Sequence, residues 1–333
     1  MNKQRWIPWM LTMALAFVLC FSVSACGGKE DTASEEEQSV NYGASDTIHI
    51  ATKNTPEQNI LANLAKILIR EKMGVEAEIV YYKDSTSAAL LEKMDKGSIQ
   101  IFFDYSGSLA VNALEMDADS ANIPTLLLDV QNTIRKKHSI SVSEEIGYNS
   151  TTAVYMMIDR REELGSPATL SDLAKLSSKL KIGMSEAFYN RIDGYEAFAQ
   201  RYGMNFKKAA AYDEEAGFAA LISGEIDVYI GNSVTPYFSL LNVKQLVDDQ
   251  YFFLPQNTCY LVSDKAMKDF PALDDTLSNL EGLISASRMS LMVKRIYWEG
   301  HDIEEYLFTY LRANNISGLY CSFPAPREPF LSR

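Results

Sequence analysis

The chain has 333 residues, 47% of them hydrophobic and 23% charged, with 44 acidic against 31 basic side chains and a net charge of -13. That length accommodates two domains with sizeable cores, and the composition is that of a globular protein. The acidic balance excludes nucleic acid as a partner, which needs clustered lysine and arginine, and argues against electrostatic attraction to anionic lipid.

Lys3 and Arg5 precede an apolar run from Ile7 to Ser24, and Val23-Ser24-Ala25 leads directly to Cys26. A basic start, an apolar stretch and small residues before a cysteine read as a secretory signal of the bacterial lipoprotein type. Residues 1–25 are then removed, and Cys26 is lipidated and becomes the mature N-terminus. The run approaches the ~20 residues that span a bilayer. The small-small-Cys ending and Gly27-Gly28 favour cleavage over a retained anchor. The expected location is the extracytoplasmic face of the cell membrane, held by lipid alone. Residues 26–46 are acidic, rich in Ser and Gly and poor in large aliphatics, and read as a flexible tether. No later apolar run is long enough to cross a membrane, so the chain contains no permease of its own.

Structure begins at Ile48-His49-Ile50-Ala51, a short strand. From Pro56 the period changes: Ile60, Leu61, Leu64, Ala65, Ile67, Leu68 and Met73 recur at helical spacing, and Gly74 supplies a stop. Glu76 to Tyr82 alternates as a strand, Ser85 to Gly97 reads as a helix, and Ile99 to Phe103 as a strand ending at Asp104-Tyr105-Ser106-Gly107-Ser108. Asp104 there reads as an exposed turn residue. Strand and helix alternating in this way predict a parallel α/β sheet, whose ligands bind at the C-terminal ends of strands, here just after residues 51 and 103. The rhythm returns with a strand at Leu180 to Gly183, helices at Asp193 to Tyr202 and Ala216 to Ser223, and a strand at Ile226 to Ile230. Met289 to Val293 and Ile303 to Arg312 read as helices. Two α/β units predict two lobes with a cleft between them.

Enzyme chemistry finds little support. There is no H-E-x-x-H, no G-x-S-x-G and no phosphate-cradling loop, and the carboxylates are dispersed. His49 lies inside a strand, His138 beside two lysines and His301 after Gly300, so all three read as structural or solvated. No catalyst, cofactor or metal is expected, since no Cys/His spacing suits zinc. Cys20 leaves with the signal and Cys26 carries lipid. Cys259 and Cys321 remain either as a disulfide, which persists outside the cell, or as two buried thiols.

Lys53-Asn54-Thr55-Pro56-Glu57-Gln58-Asn59-Ile60-Leu61 resembles the motif K-x-F-T-E-Q-x-I-L. Gly97-x-Ile99-x-Ile101 running into Asp104-Tyr105-Ser106-Gly107-Ser108 resembles G-x-I-D-I followed by E-Y-T-G-T. Phe188-x-x-Arg191-x-Asp193-Gly194 resembles F-x-x-R-x-D-G, with Ala187 where a glutamate is usual. Gly224-Glu225-Ile226-Asp227-Val228 and Asp248-Asp249-x-x-Phe252-Phe253-x-Pro255 follow in order. From about residue 47 to 315 the chain therefore resembles the substrate-binding lipoproteins of ABC importers for glycine betaine, choline, carnitine and related solutes. The resemblance implies an α/β, two-lobed periplasmic-binding-protein-like fold of type II, each lobe a mostly parallel sheet flanked by helices, hinged by two crossover strands. Lobe one would be 47–150 plus 259–333 and lobe two 151–258. The implied partners are a small-molecule solute, a separate ABC permease and its ATPase, with the receptor itself a monomer.

By the same resemblance Arg191, in lobe two and facing the cleft, would hold a solute carboxylate bidentately. Tyr105 would form one wall of an aromatic box, and Lys53, Gln58 and Ser108 would make polar contacts. The family's box holds a trimethylammonium by the attraction of ring faces for a cation. The other aromatic positions fall here on Thr152, Asn232 and Gln256, all polar. At ~0.5–2 kcal/mol per ring in a desolvated box, losing three is a large loss of affinity. A pocket so lined is expected to read a polar end by hydrogen bonds, so the expected ligand is a small polar, carboxylate-bearing or zwitterionic solute. Two alternatives stand beside it. One keeps a quaternary-ammonium osmolyte in a box rebuilt from Tyr155, Tyr189, Tyr195 or Phe218, although the expected place of all four is the core. The other is a tethered sensor or adaptor that signals without transport.

Overall fold

Two five-stranded sheets organise the residues that the computed structural model describes, which are 47–83, 85–117, 123–190 and 194–316. Cys26, Arg191 and Cys321 lie outside them. The strands in chain order are β1 (Ile48–Thr52), β2 (Ala77–Tyr81), β3 (Ile101–Tyr105), β4 (Ile140–Val142), β5 (Thr152–Met157), β6 (Lys181–Met184), β7 (Lys208–Ala211), β8 (Val228–Asn232), β9 (Val243–Gln245) and β10 (Thr258–Ser263). The first sheet has the order β2-β1-β3-β10-β4 and the second β7-β6-β8-β5-β9. In the first, β2, β1 and β3 are parallel and β10 runs against both β3 and β4. In the second, β7, β6 and β8 are parallel and β5 runs against β8 and β9. Each sheet is therefore mixed. The reason is connectivity: β5 and β10 each enter from the other half of the molecule, and a strand arriving from the cleft side runs against those whose C-terminal ends point to it.

The first half shows why the local sequence folds as it does. β1 is buried along its whole length, as befits a strand covered on both faces. The helix Pro56–Met73 starts with proline at a first-turn position, where no intrahelical amide bond is lost, and Thr55 accepts from the Gln58 amide. It stops at Gly74, whose φ of 64° is the left-handed conformation that glycine takes without strain. Its face of Ile60, Leu64, Ile67 and Leu68 packs on one side of the sheet with Phe103 and Tyr260, while Leu90, Phe102, Val130 and Leu261 fill the other.

β3 ends later than its sequence predicts. It runs to Tyr105, and Ser106–Asn112 is a helix rather than a turn. Asp104 is accordingly not an exposed turn residue: its relative exposure is 0%. A carboxylate survives there because the Lys53 ammonium lies 2.8 Å from Oδ2 and the Tyr105 amide donates to Oδ1 at 3.0 Å. The extension of β3 comes from pairing with β10, where Tyr105 faces Thr258.

Between β4 and β5 the chain passes from the first sheet to the second, and between β9 and β10 it returns. The two passages lie side by side, bridged at Asn149 and Asn257. In the second half Tyr155 and Phe218 are core residues, as expected, with ring centroids 5.7 Å apart. Tyr189 is not: it is 39% exposed and stacks on Tyr195 at 5.7 Å. Cys259 is a buried free thiol 3.6 Å from the Asp104 carbonyl. His49 is buried against Gln100, and His138 lies 2.6 Å from Asp95. No helix among the described residues is long and apolar enough to cross a membrane.

Candidate functional site

The C-terminal end of β3, the start of the helix Pro56–Met73 and the first crossover passage converge on Glu57. The Tyr105 hydroxyl donates to Glu57 Oε2 at 3.2 Å and the Ser150 hydroxyl donates to Oε1 at 3.0 Å. Asn232, the last residue of β8, brings its Oδ1 to 3.5 Å from the same Ser150 oxygen. The Tyr148 hydroxyl lies beside Glu57, Thr258 and Tyr105 but meets none of them in hydrogen-bonding geometry, so it and Thr258 Oγ1 are buried and unpaired. Burial pushes the Glu57 carboxyl up to about 7, against the opposing hydrogen bonds of Ser150 and Tyr105. A carboxylate in the first turn of a helix gains ~0.3–1 kcal/mol from the helix dipole, less than one pKa unit, so desolvation wins. Burial first, and then the Glu57 charge, raise the Tyr105 and Tyr148 hydroxyls well above the ordinary tyrosine range. Both therefore stay protonated, and Tyr105 acts as a donor.

The residues singled out from sequence divide by what they touch. Tyr105 stands at this cluster. Lys53 is held by Asp104 at 2.8 Å and Ser87 at 2.9 Å, leaving one of its three ammonium donors for a solute. Gln58 is drawn away from the cleft: its oxygen accepts from the Lys53 amide at 2.9 Å and its nitrogen donates to the Phe103 carbonyl at 3.1 Å, so it stitches the loop after β1 onto β3. Ser108 and Gln256 meet each other, the Gln256 oxygen accepting from the Ser108 amide at 3.0 Å. Thr152 and Asn232 are cross-strand partners on β5 and β8. Thr152 also borders a cavity of about 380 Å³ with Asn149, Tyr251, Phe253, Pro255 and, from the first half, Ile123. Asn232 is exposed, its oxygen accepting from the Val234 amide at 2.9 Å. Arg191 lies outside the described residues.

Glu57, Tyr148 and Ser150 were absent from the sequence-derived site. Glu57 stands inside the K-x-x-x-E-Q motif, but an acid in a first helical turn already has a structural reason to be there. Tyr148 and Ser150 fall in the crossover passage, where nothing in the local pattern distinguishes a hinge residue from a cleft residue.

The arrangement is that of a receptor: strand ends from two sheets present polar and aromatic groups to one another across two crossover strands. A structure described as a glycine betaine/carnitine/choline ABC transporter superposes with a TM-score of 0.74 at 24% identity, covering 80% of this chain and 98% of that one. Apo YehZ from Escherichia coli does so with a TM-score of 0.69 at 17% identity, over 81% and 99%. The fold is thus the two-lobed binding-protein fold of type II. In sequence the chain is 28% identical over 279 residues to the carnitine transport binding protein OpuCC of Listeria monocytogenes, covering 83% of this chain and 90% of that protein. The profile of the family described as OpuAC, substrate binding domain of ABC-type glycine betaine transport system, matches residues 46–313. The chain belongs to that family of extracytoplasmic solute-binding components of ABC importers.

Proposed function

We propose that this chain is a lipid-anchored receptor that binds a small zwitterionic solute carrying a quaternary ammonium and a carboxylate, closes on it, and delivers it to a separate permease. The observation that carries this reading is the convergence of Tyr105, Ser150 and Asn232: one residue from a strand end of each sheet and one from the crossover between them. A solute seated there touches both halves, so it favours the arrangement in which they approach, and a permease can recognise that arrangement. Lobe one comprises 47–150 plus 259–333 and lobe two 151–258, with the crossover passages as the hinge. Tyr105 offers a ring face to the ammonium. The free donor of Lys53, the Ser108 hydroxyl and Arg191 serve the carboxylate end, while Thr152, Asn232 and Gln256 provide polar walls. The receptor acts as a monomer and changes no bond in its cargo. The curated relatives and the family description support the betaine and carnitine class of cargo.

Calorimetry on the full chain in detergent tests the site. Glycine betaine, carnitine, choline and ergothioneine are compared with polar amino acids and hydroxylated acids. A betaine or carnitine is expected to bind, with Tyr105→Ala and Arg191→Ala each weakening it tenfold or more, roughly the scale of one desolvated ring or one charge-assisted pair. Binding only by amino acids or hydroxylated acids would sink the betaine assignment. The anchor rests on Cys26 and the small residues before it: Cys26→Ser is expected to abolish metabolic labelling with palmitate, and labelling that persists would remove lipidation from the proposal.

A further inference from the structure

We propose that Glu57 is the counter-ion for the solute's ammonium group, supplying by charge the attraction that Thr152, Asn232 and Gln256 do not supply as rings. This rests on the solute-binding reading above and adds a residue to it. Each Glu57 oxygen accepts one hydrogen bond, from Tyr105 at 3.2 Å and from Ser150 at 3.0 Å. An ionised carboxylate has about four acceptor sites, so half of its capacity stays open. Among the described residues no lysine, arginine or histidine forms an ion pair with it, and the Lys53 ammonium is turned to Asp104 and Ser87. A desolvated carboxylate with no cation is unfavourable in the empty protein, and a cation arriving from outside removes that penalty.

The second, independent observation is the pair of orphaned groups beside it. Tyr148, 3% exposed, brings an unpaired hydroxyl to the rim of the carboxylate, and Thr258, 0% exposed, holds a second unpaired hydroxyl beside Tyr148. Buried hydroxyls are ordinarily satisfied. A small rotation lets Tyr148 donate to Glu57, and that bond is strongest when Glu57 is ionised, which is the state a bound cation favours. The groups facing Glu57 are Tyr105 at the end of β3 with Asp104 behind it, and Tyr148 and Ser150 from the crossover, with Thr258 of β10 beyond Tyr148 and Asn232 of β8 beyond Ser150. The two tyrosines keep their protons throughout the neutral range, so the group that changes charge there is Glu57. With its carboxyl pushed up to about 7, cation binding and deprotonation are coupled, and affinity rises with pH across neutrality.

The test compares two probes of equal shape, glycine betaine and 3,3-dimethylbutanoate, in which carbon replaces the charged nitrogen. Calorimetry at pH 8 on the full wild-type chain is expected to show glycine betaine preferred by roughly 10- to 100-fold, the range for a partly solvated counter-ion. In Glu57→Gln the preference is expected to fall to about threefold or less, since a merely structural role would shift both probes together and leave their ratio as it was. From pH 8 to pH 6 the wild-type affinity for glycine betaine is expected to drop about tenfold, as one linked proton requires. This second measurement needs no variant and stands if Glu57→Gln does not fold. A preference that survives in Glu57→Gln, or a wild-type affinity flat in pH, overturns the counter-ion while leaving the receptor reading intact. If wild type binds neither glycine betaine nor carnitine, the two readings fall together.

Discussion

Glu57 is held in a chemically expensive state, and that has a signature in the empty protein. Its carboxyl titrates near 7 when folded against an ordinary 4.5. Below pH 4.5 the acid is protonated in both folded and unfolded chains and contributes nothing. As pH rises from 4.5 to 7 the unfolded chain ionises first, so stability falls, and above 7 a constant deficit remains. At ~1.4 kcal/mol per unit, reduced because Glu57 is partly exposed, the deficit is on the order of 1–3 kcal/mol. Thermal melts without solute are therefore expected to show Glu57→Gln raising the melting temperature at pH 8 and leaving it nearly unchanged at pH 4.5. Equal shifts at both pH values would mean that the carboxyl titrates normally. At this scale the sequence was partly legible. Tyr105 and Lys53 stood out because their motifs fall in register with three others along the chain. Asp104 was misread because the ion pair that allows its burial joins residues 51 positions apart. Glu57 was hidden because its place in the helix already accounts for an acid.

Elements bounded by their own residues were read correctly, and those bounded by distant ones were not. The helix Pro56–Met73 is framed by Thr55, Pro56 and Gly74, all local signals. The helix Ser106–Asn112 has no such frame: Tyr105 at its N-cap makes no side-chain cap. Its Ser108 amide is satisfied instead by Gln256, 148 positions away. Gly107 makes that possible. A Cβ there would lie 2.7 Å from Gln256 Nε2 and 2.8 Å from the Pro255 carbonyl, so only glycine lets the returning crossover approach the helix start. Gln256 thus ties the end of the second half to the first. Its oxygen is already engaged, which leaves the amide nitrogen as its remaining contribution to a solute. β3 and the return passage are long-range structures, and no local period reveals them.

For the molecule as a whole, the two-lobed plan followed from the repeated β-α-β rhythm, but what couples the lobes did not. Besides the crossovers, an aromatic series runs from Phe218 through Tyr237 to Trp298, with centroids 4.5 Å and 5.1 Å apart. Phe218 and Tyr237 belong to the second half and Trp298 to the first, so the last contact joins the halves away from the crossovers. Trp298 is 48% exposed, and Tyr237 with Asp213, Glu214 and Glu215 borders an open cavity beside it. The contact is therefore wet at its rim and held by ring geometry, a pairing worth ~0.5–1.5 kcal/mol beyond area burial. The described residues form one unit by their contacts, so the wild type is expected to unfold in urea in a single transition. Trp298→Ala removes the aromatic coupling and leaves the two sheets and their cores untouched. It is expected to lower the unfolding free energy by about 1–2 kcal/mol and to reduce the apparent slope m as the halves begin to unfold separately. A solute that touches both halves adds ~2.7 kcal/mol at a hundredfold excess over Kd and is expected to restore the single steep transition in the variant. An unchanged slope in Trp298→Ala would place the coupling in the crossover strands and in Val234, which packs into the core of the first half. A variant that stays two-step under saturating solute would mean that the solute contacts one half only, against a mechanism of closure.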